Sequence, residues 1–198
     1  MKIYFYDINE LTDSQINHGY DMLDSVKKTR VDNCNNTERR KMIIASDILT
    51  RTMLSRYLNV KPDAISFAHS SHGKPVLPNG KAQFNVSHSG DYWVGCVDDA
   101  PCGIDIEVIR DVTLNSSKRF CTPEEMEYII THKNQSVALL EIWTRKEAYF
   151  KSIGCGIATV LTSINVLNQE KLTTRVFDEY VISLYGDRKI DNFEIVKL

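Results

Sequence analysis

The sequence predicts an α+β fold in which two similar halves pack as one unit. Three observations indicate this: an alternating Tyr- and Phe-rich run opens the chain, a stripe of apolar residues with helical spacing follows, and the order of helices then strands occurs twice. The change from one half to the next falls near residue 105. We therefore predict a first half over 1–104 and a second half over 105–198, with the functional site between them.

The first half begins with a strand and two helical segments. Residues 2–8 alternate and are rich in Tyr, Phe and Ile, which is typical of a strand, and a polar helix is expected from about Asn9. A long amphipathic helix is predicted over 37–58, because apolar residues recur there every three or four positions. These residues are Met42, Ile43, Ile44, Ile48, Leu49, Met53, Leu54 and Tyr57. After Pro62, short β-like runs lie around 65–68, 84–87, 92–97 and 102–108.

The second half also begins with helices. Pro123 follows Thr122, and Glu125 stands three residues after Thr122, which predicts a capping box at the start of a helix. A longer helix is expected over about 135–152, and Gly154 and Gly156 end it. Further β-like runs lie at 163–167, 172–177, 180–185 and 193–196.

The composition is that of a globular domain with an apolar core. Apolar residues make up 42% and charged residues 25% of the 198 residues. The 24 basic and 26 acidic residues leave a net charge of -2, which argues against a dedicated nucleic-acid binder. No stretch approaches the roughly 18 apolar residues of a membrane span, and no leader-like apolar region opens the chain. We expect a cytoplasmic protein whose five cysteines are free thiols: Cys34, Cys96, Cys102, Cys121 and Cys155.

Residues 103–107 (GIDIE) place two carboxylates next to each other. In a strand the two isoleucines face the core, while Asp105 and Glu107 share the other face, about 7 Å apart. Neighbouring carboxylates repel each other unless a cation lies between them, and oxygen ligands of this kind suit Mg²⁺. A half-exposed strand with two solvated acids explains these five residues equally well.

The helix expected over 135–152 carries another acidic residue, at the border of its apolar face. Glu147 lies at the edge of a stripe that includes Trp143 and Phe150, and Lys151 lies one turn further along the same side. A carboxylate at the border of a buried face is a better metal ligand or base than one in bulk water. The alternative is a surface Glu–Lys pair, worth only a few tenths of a kcal/mol.

Residues 84–90 (FNVSHSG) offer hydroxyls, an imidazole and backbone N–H groups at the end of a strand. Neighbouring strand residues point to opposite faces, so Ser87 and His88 are not expected to form a catalytic dyad. An anion site is the functional interpretation, and an ordinary turn is the alternative. Basic residues also lie near turns, where solvated charges are the default: Arg39, Arg40, Lys41 and Lys74.

The order of these motifs closely resembles that of the 4'-phosphopantetheinyl transferases. The matching segments are HGKP at 72–75, FNVSHSG at 84–90, GIDIE at 103–107, RFCTPEE at 119–125 and WTRKEAYFK at 143–151. The length is similar to that of the Sfp-type branch, in which one chain holds both halves. The resemblance therefore implies that family's fold, two α/β halves related by a pseudo-twofold axis, and a monomer.

The resemblance implies a Mg²⁺-dependent transfer reaction. Members of the family move the 4'-phosphopantetheine group of coenzyme A onto a serine of an acyl or peptidyl carrier protein, and adenosine 3',5'-bisphosphate leaves. By the family pattern, Asp105, Glu107 and Glu147 are the ligands of Mg²⁺, for which Mn²⁺ is an alternative. Glu147 also takes the proton of the carrier serine, and Lys151 contacts the phosphates. The type of carrier is not indicated.

The resemblance also implies a coenzyme A site on the first half. Ser87 and His88 match residues that hold coenzyme A, and Lys74 matches a lysine near the nucleotide. A family arginine at the start of the second helix contacts the 3'-phosphate, and Arg40 is its match, with Arg39 and Lys41 as neighbouring alternatives. Glu125 matches an acid that some members place by the metal, in competition with its capping box.

Two other functions compete with this one. A Mg²⁺-dependent nuclease also uses acids and a lysine, but Glu147 and Lys151 are four residues apart on a helix, and the near-neutral charge disfavours nucleic acid. A non-catalytic carrier-binding module would have no use for three carboxylates and a lysine in register. Under that hypothesis Asp105→Ala leaves carrier binding intact, whereas in a transferase it abolishes transfer.

Overall fold

The described part of the chain forms five α-helices and nine β-strands. The computed structural model describes residues 1–70, 73–78, 80–154 and 161–187, and the backbone of 195–197, leaving aside the side chain at position 116. The helices are α1 (Asp13–Met22), α2 (Ser25–Asp32), α3 (Thr37–Leu58), α4 (Pro123–Thr131) and α5 (Gln135–Ile153). The strands are β1 (Lys2–Asp7), β2 (Ala68–His69), β3 (Pro75–Val76), β4 (Gln83–Ser89), β5 (Tyr92–Asp98), β6 (Gly103–Val108), β7 (Leu172–Val176), β8 (Tyr180–Tyr185) and β9 (Ile195–Lys197). The predicted α+β class is confirmed.

The first sheet has the strand order β4-β5-β1-β9 and is covered by α3 on one face. Strand β1 runs antiparallel to β5 and parallel to β9. Side chains alternate along β1, so that Tyr4 and Tyr6 pack towards Leu49 and Met53 of α3, while the intervening Phe5 faces the opposite way. The apolar stripe predicted for residues 37–58 therefore forms the core beneath this sheet.

The second sheet has the order β6-β8-β7 and lies between the first sheet and α5. Ile104 and Ile106 of β6 pack with Phe5 and Val94 of the first sheet in one buried cluster. The opposite face of β6 carries Gly103, Asp105 and Glu107. The layers are thus α3, first sheet, second sheet and α5. A small hairpin of β2 and β3 lies beside them.

Polar side chains join β4 to β6, the outer strands of the two sheets. The amide of Asn85 accepts a hydrogen bond from the backbone N–H of Ile104 at 3.0 Å, and the hydroxyl of Ser89 accepts one from the N–H of Val108 at 3.1 Å. Between them, Ser87 donates to Asp105 at 2.6 Å. These alternate residues of β4 satisfy an otherwise unpaired strand edge and fix the position of β6.

Most elements lie where the sequence predicts them. The long helices begin and end within one residue of the predicted 37–58 and 135–152, Gly154 ends α5 with a φ of 75°, and Thr122 and Glu125 form the predicted capping box. The polar helix expected from about Asn9 is replaced by a short 3₁₀ turn and two helices, α1 and α2.

The strand predicted over 163–167 is wrong. Side chains rather than a neighbouring strand take the backbone groups of this segment. Arg145 donates to the carbonyl of Val166 at 3.0 Å, Lys146 donates to that of Ile164 at 2.6 Å, and the N–H of Val166 donates to Glu125 at 2.8 Å. An apolar segment does not form a strand when side chains already bind its backbone N–H and carbonyl groups.

Several predictions fall on other parts of the chain or stay untested. His72, Cys155, Gly156 and residues 193–194 lie outside the described residues. The other four cysteines are free thiols. The division at 104/105 remains a prediction; β6 spans it, and β9 returns to the first sheet. None of the helices in the described ranges is long and apolar enough to cross a membrane.

Candidate active site

Asp105 lies at the centre of a buried polar cluster between β4, β6 and the end of α5. Its side chain is 6% exposed. One carboxylate oxygen, Oδ1, accepts hydrogen bonds from the hydroxyl of Ser87 and from the ammonium of Lys151, both at 2.6 Å. The other oxygen, Oδ2, is buried and has no hydrogen-bond partner in the described structure. Burial raises the pKa of Asp105, and the contact with Lys151 opposes that effect.

Lys151 links the last turn of α5 to this cluster. Its ammonium donates to Asp105, to the hydroxyl of Ser87 at 2.8 Å, and more weakly to the carbonyl of Ile104 at 3.5 Å. The pair with Asp105 is largely shielded from water, with Lys151 27% and Asp105 6% exposed. The structure therefore brings Ser87, Asp105 and Lys151 into direct contact.

Glu147 lies one helical turn before Lys151 and is 7% exposed. Burial raises its pKa to about 7, the negative charges of Asp105 and Glu107 add to the shift, and Lys151 opposes it. No described residue donates a hydrogen bond to this carboxylate. A carboxyl group with a pKa near neutrality can exchange a proton at physiological pH.

Glu107 lies two residues beyond Asp105 on the same face of β6. Its Oε2 accepts hydrogen bonds from the hydroxyl of Ser89 at 2.9 Å and from Arg110 at 2.8 Å. Arg110 is 54% exposed, so this ion pair is in contact with water and adds little stability. The alternation predicted for β6 is present, with Glu107 at the outer end of the cluster.

The acidic residues fit a divalent cation. The described residues contain no group of three or more His, Cys, Asp or Glu side chains that closes around a common point. The donor set is nonetheless suitable, because Mg²⁺ prefers carboxylate oxygens and often takes only one or two from the protein. The buried Oδ2 of Asp105 lacks a donor, and burial together with the neighbouring carboxylates raises the pKa of both Asp105 and Glu147, an effect that a bound cation would oppose.

A cavity of about 280 Å³ opens on the other face of β4, against α2 and α3. Strand alternation places His88 and Val86 in its wall, while Ser87 and Ser89 face β6. The wall combines cationic and apolar side chains, as a site for a phosphorylated aromatic compound would. It includes Lys27, Arg30, Arg39, Met42, Ile43, Phe67, Pro75, Phe84, Val86 and His88.

The cations in this wall differ in their availability. Arg30 and Arg39 form neither a hydrogen bond nor an ion pair with an acidic side chain of the described residues. Lys27 is paired with the buried carboxylate of Asp47, which also binds Arg51 at 2.5 Å. Among the described residues of the wall, these two guanidinium groups are therefore the cations without an acidic partner.

One side of His88 is exposed to solvent, but the surroundings of the ring disfavour its charged, doubly protonated form. The atoms packed around the ring lower its pKa, and the positive charges of Lys151 and Arg30 lower it further. A neutral imidazole can donate one hydrogen bond and accept another. His88 can thus contact a ligand in the cavity as a hydrogen-bonding group.

Two of the basic residues singled out in the sequence lie outside the cavity wall. Arg40 donates to the backbone carbonyls of Cys34 and, at 3.2 Å, of Asp32, and so holds the end of α2 to the start of α3. Lys74 donates to the backbone carbonyl of Lys151 at 2.7 Å. Of the adjacent Arg39 and Arg40, it is Arg39 that reaches the cavity.

Glu125 lies in a separate, completely buried cluster. Its Oε2 accepts from the N–H of Thr122 at 2.7 Å and from Lys146 at 2.8 Å, and its Oε1 accepts from the N–H of Val166. Both carboxylate oxygens are thus occupied within the protein. The capping box is confirmed, and Glu125 holds α4, α5 and the segment before β7 together.

Sequence reasoning missed the ion pairs Asp47–Arg51 and Glu125–Lys146. Asp47 stands within the apolar stripe of α3 with Arg51 four residues later, a spacing that brings the two together on one helix face. That signal was available in the sequence. The partner of Lys146 was not, because it comes from a different helix.

Comparisons with known proteins cover nearly the whole chain. Residues 10–98 match the N-terminal model of 4'-phosphopantetheinyl transferase, and residues 101–193 match the model of the 4'-phosphopantetheinyl transferase superfamily. Among solved structures, the chain overlaps with Thermotoga maritima holo-[acyl-carrier-protein] synthase over 46% of this chain and 66% of that chain, at 18% identity. The TM-score of 0.38 is too low to bear on fold or function.

Curated relatives carry the same family name. The chain is 28% identical to the 4'-phosphopantetheinyl transferase ffp of Bacillus subtilis over 84% of this chain and 76% of that one. It is 35% identical to psf-1 of Bacillus pumilus over 61% of this chain, and 32% identical to Sfp of Bacillus subtilis over 62%. The matched part spans only 53% and 56% of the latter two proteins. From the two family models and these relatives, the chain belongs to the 4'-phosphopantetheinyl transferase superfamily and is of the Sfp type.

Proposed function

We propose that this protein transfers the 4'-phosphopantetheine group of coenzyme A to a serine of an acyl or peptidyl carrier protein, with Mg²⁺ held by Asp105, Glu147 and Glu107. One observation carries the proposal: the end of β4 separates a cationic cavity on one face from a buried acidic cluster on the other. His88 faces the cavity and Ser87 faces Asp105. A ligand that extends past this strand end can contact both.

The cavity suits the nucleotide part of coenzyme A. Its apolar wall can accommodate adenine, and the free guanidinium groups of Arg30 and Arg39 can pair with the 3'-phosphate. Arg39 replaces Arg40 in this role, since Arg40 is engaged with backbone carbonyls. His88 then lies on the path from the nucleotide to the acidic cluster.

The acidic cluster suits the reacting phosphate. The serine oxygen of the carrier forms a bond to the phosphorus of the phosphopantetheine group, the bond from that phosphorus to the bridging pyrophosphate oxygen breaks, and adenosine 3',5'-bisphosphate leaves. Glu147 receives the proton of the serine as a general base. Lys151 offsets negative charge on the phosphates. Bound Mg²⁺ would neutralise pyrophosphate charge.

Intact-protein mass spectrometry tests the proposal. An apo carrier protein is incubated with this protein, coenzyme A and Mg²⁺, using carriers from fatty-acid, polyketide and non-ribosomal peptide synthesis. We expect the carrier to gain the mass of one phosphopantetheine group, and to lose that gain when EDTA is present or when Glu147→Gln replaces the unmodified protein.

The matched control is Glu141→Gln, on the same helix. Glu141 accepts a hydrogen bond from the hydroxyl of Tyr128 at 2.9 Å, within the packing of α4 on α5. This variant should keep transfer activity. A failure to modify any of the three carriers contradicts the proposal, and carrier binding without transfer identifies a binding module instead.

We further propose that the protein acts in the cytoplasm, as a monomer. Free thiols are in keeping with a reducing compartment, and one chain supplies both the cavity and the acidic cluster. Sedimentation of the purified protein tests whether it is a monomer, since a concentration-dependent dimer would contradict that proposal.

A further inference from the structure

We propose that Lys74 is a positioning residue that holds the end of helix α5, and with it Lys151, rather than a residue that binds coenzyme A. The effect of this role on kcat rests on the proposed function. The role differs from the one implied by resemblance, in which Lys74 lies near the nucleotide.

The contact itself supplies a missing hydrogen bond. The last four carbonyls of an α-helix have no partner within the helix. In α5 the carbonyl of Phe150 accepts from the N–H of Gly154 at 2.9 Å, and the next carbonyl, that of Lys151, accepts from the ammonium of Lys74 at 2.7 Å. A positive charge at the carboxyl end of a helix is also favoured by the helix dipole.

The backbone around Lys74 is fixed, so its side chain starts from a defined position. The N–H of Lys74 donates to the hydroxyl of Ser70 at 3.1 Å, and the carbonyl of Lys74 accepts from the N–H of Ser70 at 2.8 Å. Gly73 has a φ of 80°, in the left-handed region that favours glycine. Gly73 thus permits the tight turn that directs the side chain of Lys74 towards α5.

The surroundings of Lys74 agree with a role inside the protein. Burial lowers the pKa of its ammonium, the direction expected for a positive charge that is removed from water. Its side chain is not part of the cavity wall, although the next residue, Pro75, is. The ammonium of Lys74 is thus directed to the end of α5 by its hydrogen bond to the carbonyl of Lys151.

This single hydrogen bond joins two parts of the site. On one side, Pro75, which belongs to the β2–β3 hairpin, lines the cavity assigned to the nucleotide. On the other, the side chain of Lys151 binds Asp105 and Ser87. Loss of the contact should leave the cavity intact but let the last turn of α5 move, which misplaces Lys151 relative to the reacting phosphate.

The unmodified protein allows a first test, by acetylation with a limiting amount of acetic anhydride and peptide mass spectrometry. Because the thiol of coenzyme A also consumes acetic anhydride, the rate of Lys74 is taken relative to that of the exposed Lys61 in the same mixture. We expect Lys74 to react several-fold more slowly than Lys61, and saturating coenzyme A to change this ratio by less than about twofold. A lysine that reacts freely and becomes protected when coenzyme A is added overturns the proposal.

The second test uses Lys74→Met, Lys74→Arg and the control Lys61→Met. In Lys74→Met we expect kcat to fall about tenfold while the Kd for coenzyme A, measured by calorimetry without carrier, stays within about twofold. Amide hydrogen exchange in the last turn of α5 should become faster. Lys74→Arg should recover most of kcat, because a guanidinium also donates to a carbonyl. Lys61→Met should match the unmodified protein.

The outcomes separate this inference from the proposed function. A tenfold rise in the Kd of Lys74→Met, or unchanged kcat and unchanged exchange, overturns the role of Lys74. If the unmodified protein transfers nothing to any carrier, the proposed function fails. The acetylation and exchange measurements then still decide whether Lys74 holds α5.

Discussion

A β-carbon on Gly103 would clash with the carbonyl oxygen of Ala148, and would lie 2.7 Å from the backbone nitrogen of Ser152. The absence of a side chain at Gly103 lets α5 lie directly on β6. Because β6 carries Asp105 and α5 carries Glu147 and Lys151, the same close approach sets the distance between the two parts of the acidic cluster.

Substitution of Gly103 by alanine should therefore move α5 away from β6. We expect Gly103→Ala to lower the free energy of unfolding by about 1 to 3 kcal/mol, the usual cost of overpacking, and to reduce transfer activity more than it reduces coenzyme A binding. Urea unfolding and calorimetry measure the two effects. Val108→Ala, at the other end of β6, is the control and should leave kcat close to normal; equal kcat in Gly103→Ala would contradict the expectation.

Neighbouring arginines at the start of α3 should behave differently. Arg39 lines the cavity, whereas Arg40 binds backbone carbonyls at the end of α2. Each substitution by glutamine removes one positive charge, so the pair is matched in net charge. We expect Arg39→Gln to raise the Kd for coenzyme A about tenfold, by loss of a charged hydrogen bond to phosphate, and to change the Kd for 3'-dephospho-coenzyme A little.

Arg40→Gln should leave both affinities within about twofold and lower the melting temperature instead. Calorimetric titration with the two nucleotides checks the first expectation, and thermal unfolding checks the second. A larger loss of affinity in Arg40→Gln than in Arg39→Gln would restore Arg40 as the residue that contacts the 3'-phosphate.

The ion pair of Glu125 and Lys146 should be among the costliest to break. Both side chains are 0% exposed, and Lys146 also donates to the carbonyls of Leu161 and Ile164. Lys146→Met leaves a buried carboxylate without its cation, for which we expect a loss of about 3 to 5 kcal/mol in the free energy of unfolding. Chemical denaturation measures it.

The surface pair of Lys171 and Asp187 serves as the comparison. These side chains are 52% and 48% exposed, and Lys171→Met should cost less than about 1 kcal/mol. The double variant with Glu125→Leu and Lys146→Met should be more stable than Lys146→Met alone, since no charge is left unpaired. Equal stability of the single and double variants would argue against an uncompensated carboxylate.

The raised pKa of Glu147 predicts how stability depends on pH in the metal-free protein. The folded state retains the proton up to a pH of about 7, whereas the unfolded chain releases it near its ordinary pKa of 4.5. The folded state then holds more protons between these values, so the contribution of this group to stability falls as the pH rises through that window.

Glu147→Gln removes this dependence. In EDTA we expect the variant to exceed the unmodified protein in stability by on the order of 1 to 3 kcal/mol at pH 8, and by much less at pH 5. Urea unfolding between pH 5 and pH 8 measures the difference, with Glu141→Gln as the control that should show a constant offset. Saturating Mg²⁺ should reduce the advantage of Glu147→Gln, because only the carboxylate can bind the ion. A pH-independent offset in Glu147→Gln would falsify the assignment of the shift to this carboxyl.

Sequence periodicity predicts the local parts of this structure well. The stripe on α3, the alternation along β6 and the opposite orientations of Ser87 and His88 all follow from repeating geometry within one element. The contacts that assemble the site come from different elements. Nothing local indicates that Lys151 meets Ser87, 64 residues away in sequence, or that Lys146 pairs with Glu125 instead of facing the acidic cluster like its neighbour Glu147.

The sequence pattern also does not decide between Arg39 and Arg40 as the residue that lines the cavity. Adjacent helical residues differ in direction by about 100°, so a shift of one position decides whether a side chain reaches the cavity or the preceding loop. Spacing alone does not fix that rotation. It is set by the packing of the apolar stripe of α3 under the first sheet, which places Arg39 in the wall of the cavity.

The two faces of β4 can be varied independently. Even-numbered positions, Phe84, Val86 and His88, meet the bound nucleotide under the proposed function, and odd-numbered positions, Asn85, Ser87 and Ser89, meet the acidic strand. Changes at the even positions can alter which nucleotide analogue is accepted while the reaction chemistry stays the same. Deletion of a single residue within β4 would turn the following side chains to the opposite face. It would abolish nucleotide binding and the contacts with the acidic strand together.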